Sequence, residues 1–368
     1  MRAFLEIEAN FFIRIIIAFL LIMFFCFMLF YHRDILPNKF FLDENTIING
    51  IGKTTKFCPN DSYANTSYFF SAFSLNEWKK IIAVFSFLIM MVFIYFSTSV
   101  KRLLFTTFYT VCITHFFLQL SKEFIVLFMH TLSLVIFFVC FLFHQNKKEK
   151  WIDYIPLFFI SIIYFFYIDY FRSYYLIALL VAAGLLLLKY TNKEFAFTLI
   201  TLVVLYFLFF SHRYGIDKID EVRDSLNQHR HNSNTALSMF TNLLPAKGII
   251  NFFINYCYAF LRLFFPVFFY YSVKSVFLTL FNLLLLILIK DCVYSIKQNK
   301  DKNIIFPYFC ICLLAGHWLT QILFEPDLGS YLRHLSSYCL LLLPGMYFYD
   351  LNSNSKDKKI FLLKRHNR

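Results

Sequence analysis

The chain has 368 residues, of which 60% are hydrophobic, 22% aromatic and only 15% charged. A soluble domain carries nearer a quarter of its residues as charges, so a soluble globular enzyme is excluded. The formal net charge of +13 does not point to nucleic acid, because the basic residues sit in short connections and the tail, where the positive-inside rule accounts for them.

The apolar residues fall in blocks of about 20, long enough to cross a hydrocarbon core of roughly 30 Å as a helix. The first block, 11–31, has no small-residue cleavage site after it and reads as a retained span rather than a signal peptide. Further spans are predicted at 81–100, 103–120, 124–144, 154–171, 174–190, 195–211, 268–290, 304–324 and 335–350. The expected fold is therefore all-α: a polytopic integral membrane protein of about ten transmembrane helices, forming a single membrane domain over 1–368.

The segment 247–266 is also rich in Phe, Ile and Tyr. Asn251, Asn255 and Arg262 interrupt it, and Pro245 and Pro266 bracket it, so it is read as interfacial or re-entrant. This choice places every Lys-rich connection on one side. Lys101 and Arg102, then Lys147, Lys148 and Lys150, then Lys189 and Lys193, share that side with Lys297, Lys300 and Lys302 and with the tail 351–368. Both termini are then cytoplasmic. Three segments face outward: the Asn-rich loop 32–80, expected to be ordered only in part; a large loop over 212–266; and the short connection Glu325–Ser337.

The large outward loop holds the densest polar chemistry. Arg213, Asp217, Asp220 and Asp224 recur at three- and four-residue steps, which would align them on one helix face. Arg223 and Arg230 lie one heptad apart, near His229 and His231. Several guanidinium groups in one loop suit a diphosphate, since their planar fork matches phosphate oxygens; the plainer reading is a solvated, salt-bridged surface helix. In the shorter connection, Glu325, Asp327, Arg333 and His334 sit where the chain re-enters the bilayer. Charges at that depth are costly unless paired or facing a wet cavity, which makes them functional candidates, against the alternative of a snorkelling anchor.

Within the spans, His115, His130 and His317 are read as hydrogen-bonded core, and Asp169 is expected to pair with Arg172 three residues on. No His pair has the spacing of a helical zinc site, and no Walker motif or nucleophile elbow is present. No metal and no cofactor are implied. The nine cysteines are scattered. Most lie inside apolar runs, and Cys310 and Cys312 read as packing rather than ligation. Only Cys58 and Cys257 fall on the outer side, which leaves room for one disulfide at most.

Taken together, the Phe/Ile/Tyr-rich spans, the outward loop rich in Arg, His and Asp, and G-S-Y-L-R-H before the last span resemble bacterial O-antigen and capsule polymerases of the Wzy type. These are polyprenol-dependent membrane glycosyltransferases. The resemblance covers the whole chain in topology but little of it in motif. It implies a metal-independent transfer at the periplasmic face of the bacterial inner membrane, where a glycan on undecaprenyl diphosphate joins the next lipid-linked repeat unit. The implied partners are that lipid-linked glycan, membrane lipid and a chain-length regulator protein, with no nucleic acid. Fixed cations must meet the diphosphate leaving group and a base must receive the acceptor proton. Arg213, Arg223 and Arg333 are the candidates for the first role, with Arg230 and Arg172 behind them; His334, His229 and Asp217 are those for the second, with Asp327 and His231 nearby. The competing readings are a ligase or single-sugar transferase, for which Asp34, Asp43 and Glu44 offer outward acids, and a lipid-linked oligosaccharide flippase.

Overall fold

A computed structural model of the chain describes residues 11–59, 61–144, 154–190, 238–245, 248–298 and 305–350. Its regular elements are helical: α1 (Phe11–Ile35), α2 (Leu42–Gly50), α3 (Ser62–Phe70), α4 (Leu75–Tyr95), α5 (Val100–Cys112), α6 (Lys122–His144), α7 (Ile155–Tyr170), α8 (Tyr175–Tyr190), α9 (Ile249–Phe264), α10 (Val273–Gln298), α11 (Ile305–Phe324) and α12 (Leu328–Ser337). Among the described residues there is no strand, only an isolated bridge between Met239 and Asp327.

Five of these are long and apolar enough to cross a membrane: α1, α4, α10 and α11, and the stretch Lys122–Leu142 of α6. The all-helical, membrane-type fold expected from composition is thus present. The helices α7, α8 and α9 are apolar but have 16 residues each, about 24 Å at 1.5 Å per residue and short of a 30 Å core. The segment expected to span at 195–211 lies outside the described residues.

Local chemistry sets the helix ends. Ser74 and Glu77 form a reciprocal capping box at α4, Asp61 caps α3 by accepting from Ala64 N at 3.0 Å, and Ser121 Oγ accepts from Phe124 N at 3.1 Å at the start of α6. A five-residue π turn, Ile113–Phe117, closes α5 before the chain turns into α6.

Packing separates centre from periphery. Of the apolar window in α11, 78% is buried, against 17% in α1; α11 is the central helix and α1 shows most of its surface outward. Gly316 lets α11 press onto α8: a Cβ there would fall inside contact distance of the Ala178 carbonyl oxygen, the close backbone approach that small residues permit between membrane helices.

The segment 32–80, expected to be only partly ordered, is instead built around α2 and α3, with all but Asn60 described. Its polarity hides packing. Asn65, Thr66 and Ser67 are buried, Ser67 Oγ donates to Ile47 O at 2.9 Å, and Asn65 bonds both the N–H and the carbonyl of Cys58 at 2.7 and 2.6 Å. These side chains satisfy backbone groups that would otherwise need water. Cys58 and Cys257 are both unbridged.

Charged groups collect at two ends of the bundle. One end gathers Glu44, Glu123, Arg172, Glu325 and Arg333. The other gathers Lys101, Arg102, Asp291 and Asp350. Helix α10 joins them, with Lys274 bonded to Ser238 beside Asp327 near the first end and Asp291 at the second. Residues 274 to 291 rise about 26 Å along a helix, close to the thickness of a hydrocarbon core.

Candidate functional site

The site is built where α6 begins, α7 ends and α12 runs across the same end of the bundle. Glu123 lies in the first turn of α6, where the helix dipole favours negative charge, and only 2% of its side chain is exposed. Beyond the last turn of α7, the N–H of Arg172 is tied to Tyr167 O, and its side chain turns inward to place Nη2 3.0 Å from Glu123 Oε1. From α12, His334 Nδ1 approaches the same oxygen at 2.9 Å and Arg333 Nε lies 3.7 Å from it. One buried carboxylate thus sits among three basic side chains from two other elements.

The neighbours extend the group on both sides. His334 Nε2 lies 3.2 Å from Glu325 Oε1, so the imidazole is held between two carboxylates. Arg333 Nη1 donates to Asp43 Oδ2 at 2.5 Å, and Asp43 Oδ1 accepts from the Tyr63 hydroxyl at 2.6 Å. The Lys122 ammonium lies 3.1 Å from the centre of the Tyr63 ring. The floor is sealed, with Glu123 2% and His334 5% exposed, while Arg333 and Asp43 form a lip at 20% and 28%.

The electrostatics follow from this balance. Burial opposes ionisation of Asp43, but the Arg333 charge and the Tyr63 hydrogen bond outweigh it and hold its carboxyl below the usual range. Burial likewise opposes the Arg333 charge, and Glu123 and Asp43 overcome it, raising its pKa further. Burial and the Asp43 charge both push the Tyr63 phenol up, so it donates and does not ionise.

His334 can hold its proton on either side. Arginine only donates, and Arg172 Nη1 lies 3.0 Å from His334 Nδ1. If Nδ1 is bare it accepts from Arg172, and Nε2–H faces Glu325. If Nδ1 carries the proton it donates to Glu123, and Arg172 keeps Glu123 and the Tyr175 hydroxyl. A ring with a carboxylate at each nitrogen can accept a proton from one face and pass it at the other. Because Glu123 and Glu325 meet opposite nitrogens, they do not converge on a common point as metal ligands; among the described residues no three His, Cys, Asp or Glu side chains do.

A polar chain continues inward from this cluster. Arg172 Nη1 reaches the Tyr175 hydroxyl at 3.5 Å, which bonds the Tyr338 hydroxyl, and Gln321 Nε2 donates to Tyr338 at 3.2 Å. The Tyr338 ring stacks on His317 with centroids 3.9 Å apart. Tyr164 OH links His317 Nε2 and His130 Nε2 at 2.7 Å each. His130 Nδ1 lies 3.2 Å from Ser337 O; a carbonyl can only accept, so neutral His130 carries its proton there. Tyr164 then donates to His130 Nε2 and accepts from His317 Nε2–H. His130 is two turns beyond Glu123 on α6, about 10 Å deeper. The expectation that His130 and His317 are hydrogen-bonded core therefore holds, and His115 bonds Val111 O at 2.8 Å on the π turn.

Of the candidates read from sequence, Arg172, Arg333 and His334 come together here. Asp327 does not: it caps α12, accepting from Ser330 N at 2.9 Å with one oxygen and from Ser238 with the other. Arg213, Asp217, Arg223, His229, Arg230 and His231 lie outside the described residues. The expected Asp169–Arg172 pair is replaced by Arg172–Glu123, since α7 ends at Tyr170 and Asp169 faces outward, leaving Arg172 off its helix face. Two of the three acids noted in the first loop are engaged as well, Asp43 by Arg333 and Glu44 by Arg33.

Sequence reasoning missed Glu123, the hub. Its signal was a mismatch: Arg333 and His334 stood near membrane depth without an acid assigned to them, and S-K-E at the head of an apolar block was a further supply. The tyrosines Tyr175 and Tyr338 carried no signal, being two among 24. No family model matches the chain, and neither a curated protein nor a solved structure is detectably similar to it.

Proposed function

We propose that the chain is a membrane glycosyltransferase that polymerises polyprenyl-diphosphate-linked oligosaccharide repeat units at the outer face of a bacterial inner membrane, in the manner of Wzy-type polymerases. The reading includes about ten spans with both termini cytoplasmic. Its support is the convergence of Arg172, Arg333 and His334 on Glu123, three candidates drawn from two distant parts of the chain for two linked chemical tasks.

In this mechanism the acceptor hydroxyl oxygen attacks the anomeric carbon of the donor glycan. The bond from that carbon to the diphosphate oxygen breaks, and the electron pair leaves with the diphosphate. Arg333, at the lip and held by the partly exposed Asp43, exchanges that carboxylate for the diphosphate and meets its growing charge. Arg213 and Arg223 of the large loop complete the cationic surround. His334 takes the acceptor proton at Nε2, where the acceptor hydroxyl displaces Glu325, while Glu123 holds the Nδ1–H and orients the ring. Deleting the gene in its own strain should collapse the surface-polysaccharide ladder to a single repeat unit on the lipid core, as read on a gel. An unchanged ladder removes the proposal.

A second reading, a lipid-linked oligosaccharide flippase or proton-coupled transporter, is favoured by one observation, the His130–Tyr164–His317 chain inside the bundle. Intramembrane histidine relays are a feature of such transporters. The same gel separates the two: a flippase deletion loses the single-unit band as well.

A further inference from the structure

At the same end of the bundle, apart from the Glu123 group, Arg262 stands in the last turn of α9. Its guanidinium lies 5.2, 5.5 and 5.3 Å from the ring centres of Phe240, Tyr258 and Phe269, and it donates to the Tyr258 hydroxyl at 2.6 Å. Among the described residues no carboxylate pairs with it. A guanidinium has five N–H donors, so this cation is held in place by rings while most of its donors stay open. It lines a cleft of about 100 Å³ together with Ser238, Pro266 and Tyr270.

Among the described residues the charges around the cleft leave a net positive site. Lys274 Nζ bonds Ser238 Oγ at 2.7 Å, and Ser238 donates to Asp327, so Lys274 and Asp327 offset one another and the Arg262 charge remains. Beside the cleft the chain presents Phe268, Tyr271 and Val273 at 80%, 85% and 89% exposure. Aromatic residues at that density mark the boundary between headgroups and acyl chains. An anion drawn to Arg262 thus meets a broad apolar surface at once, which a free anion does not use.

We propose that Arg262 and its cleft bind the phosphate group of an acidic membrane phospholipid, with the acyl chains lying along Phe268, Tyr271 and Val273. The planar fork of arginine matches two phosphate oxygens, and the three rings fix its orientation before the lipid arrives. The site is independent of the proposed transfer reaction: Arg262 shares no contact with the Glu123 group.

The test is native mass spectrometry of the full-length protein in detergent micelles, titrated with phosphatidylglycerol or phosphatidylcholine. The wild type should retain one phosphatidylglycerol at least about fivefold better than phosphatidylcholine. Arg262→Gln should lower that retention at least about fivefold, Arg262→Lys should fall between, and Lys79→Gln, at an exposed cation elsewhere, should match the wild type. Equal retention in wild type and Arg262→Gln overturns the proposal, as does equal binding of the two lipids. If Arg262→Gln fails to fold, competition on the wild-type protein decides. Displacement by equimolar inorganic phosphate reveals a free-anion site, and displacement by a polyprenyl phosphate at lower concentration assigns the cleft to a carrier lipid; either overturns the proposal. Phosphatidylglycerol resisting both supports it.

Discussion

The two charged ends of the bundle solve the burial of charge in different ways. At the Lys101 end the pairing is one to one: Lys101 meets Asp291, and Arg102 meets Asp350 at 2.7 Å while also donating to Phe96 O and stacking on Tyr349. Each cation has its own acid, and the cations themselves are buried, Lys101 at 6% and Arg102 at 2% exposure against 20% for Arg333. At the Glu123 end one carboxylate oxygen serves Arg172, His334 and Arg333 together, and the second partner of Arg333 is a partly exposed Asp43. Desolvation makes buried ion pairs poor stabilisers. A shared, incompletely partitioned group with an accessible lip therefore fits chemistry better than it fits stability, whereas the closed pairs fix how α5, α10 and the chain's last described turns meet.

The sharpest way to break this contrast is to remove the hub. Glu123→Gln should destabilise the protein by about 3–5 kcal/mol, because it leaves two arginines without their buried counter-charge, and should abolish activity; thermal melting of the purified protein reads the first effect. A packing defect between the ends provides the reference. Gly316→Ala forces a Cβ against the Ala178 backbone and should cost roughly 1–3 kcal/mol, with activity following the amount of folded protein in the membrane. Asp350→Asn weakens one closed pair and should cost about 2 kcal/mol, again with activity per folded molecule unchanged.

The smallest effect is at the lip. Asp43 has a depressed pKa in the folded protein, so its contribution is fully present above the ordinary carboxylate range near about 4 and is lost as pH falls through its lower folded value. Between about pH 5 and pH 3 the wild type should lose more melting temperature than Asp43→Asn. Equal slopes would mean that the lip pair contributes nothing and that Arg333 is held by Glu123 alone.

How much of this was legible beforehand depended on distance along the chain. The apolar blocks announce the long helices, because a hydrocarbon solvent demands that length and composition. Arg333 and His334 were legible for the same reason, as charges where none are tolerated without cause. Glu123 was not, since an acid at the head of an apolar helix also serves as an ordinary first-turn residue. Proximity in sequence misled at Asp169 and Arg172, where the helix ends between them. Composition misled in 32–80, where Asn65 and Ser67 are polar in order to bond buried backbone. The Arg- and His-rich stretch 212–231 lies outside the described residues.

The most direct test of the contrast compares one arginine from each end in the deletion strain. Arg333→Ala and Arg102→Ala are expressed from the same promoter, membrane levels are matched by immunoblot, and the polysaccharide ladder is read on a gel. If the Glu123 end is the working site, Arg333→Ala collapses the ladder while Arg102→Ala leaves it intact at equal protein. A full ladder from Arg333→Ala, or an equal collapse from both variants, would contradict it.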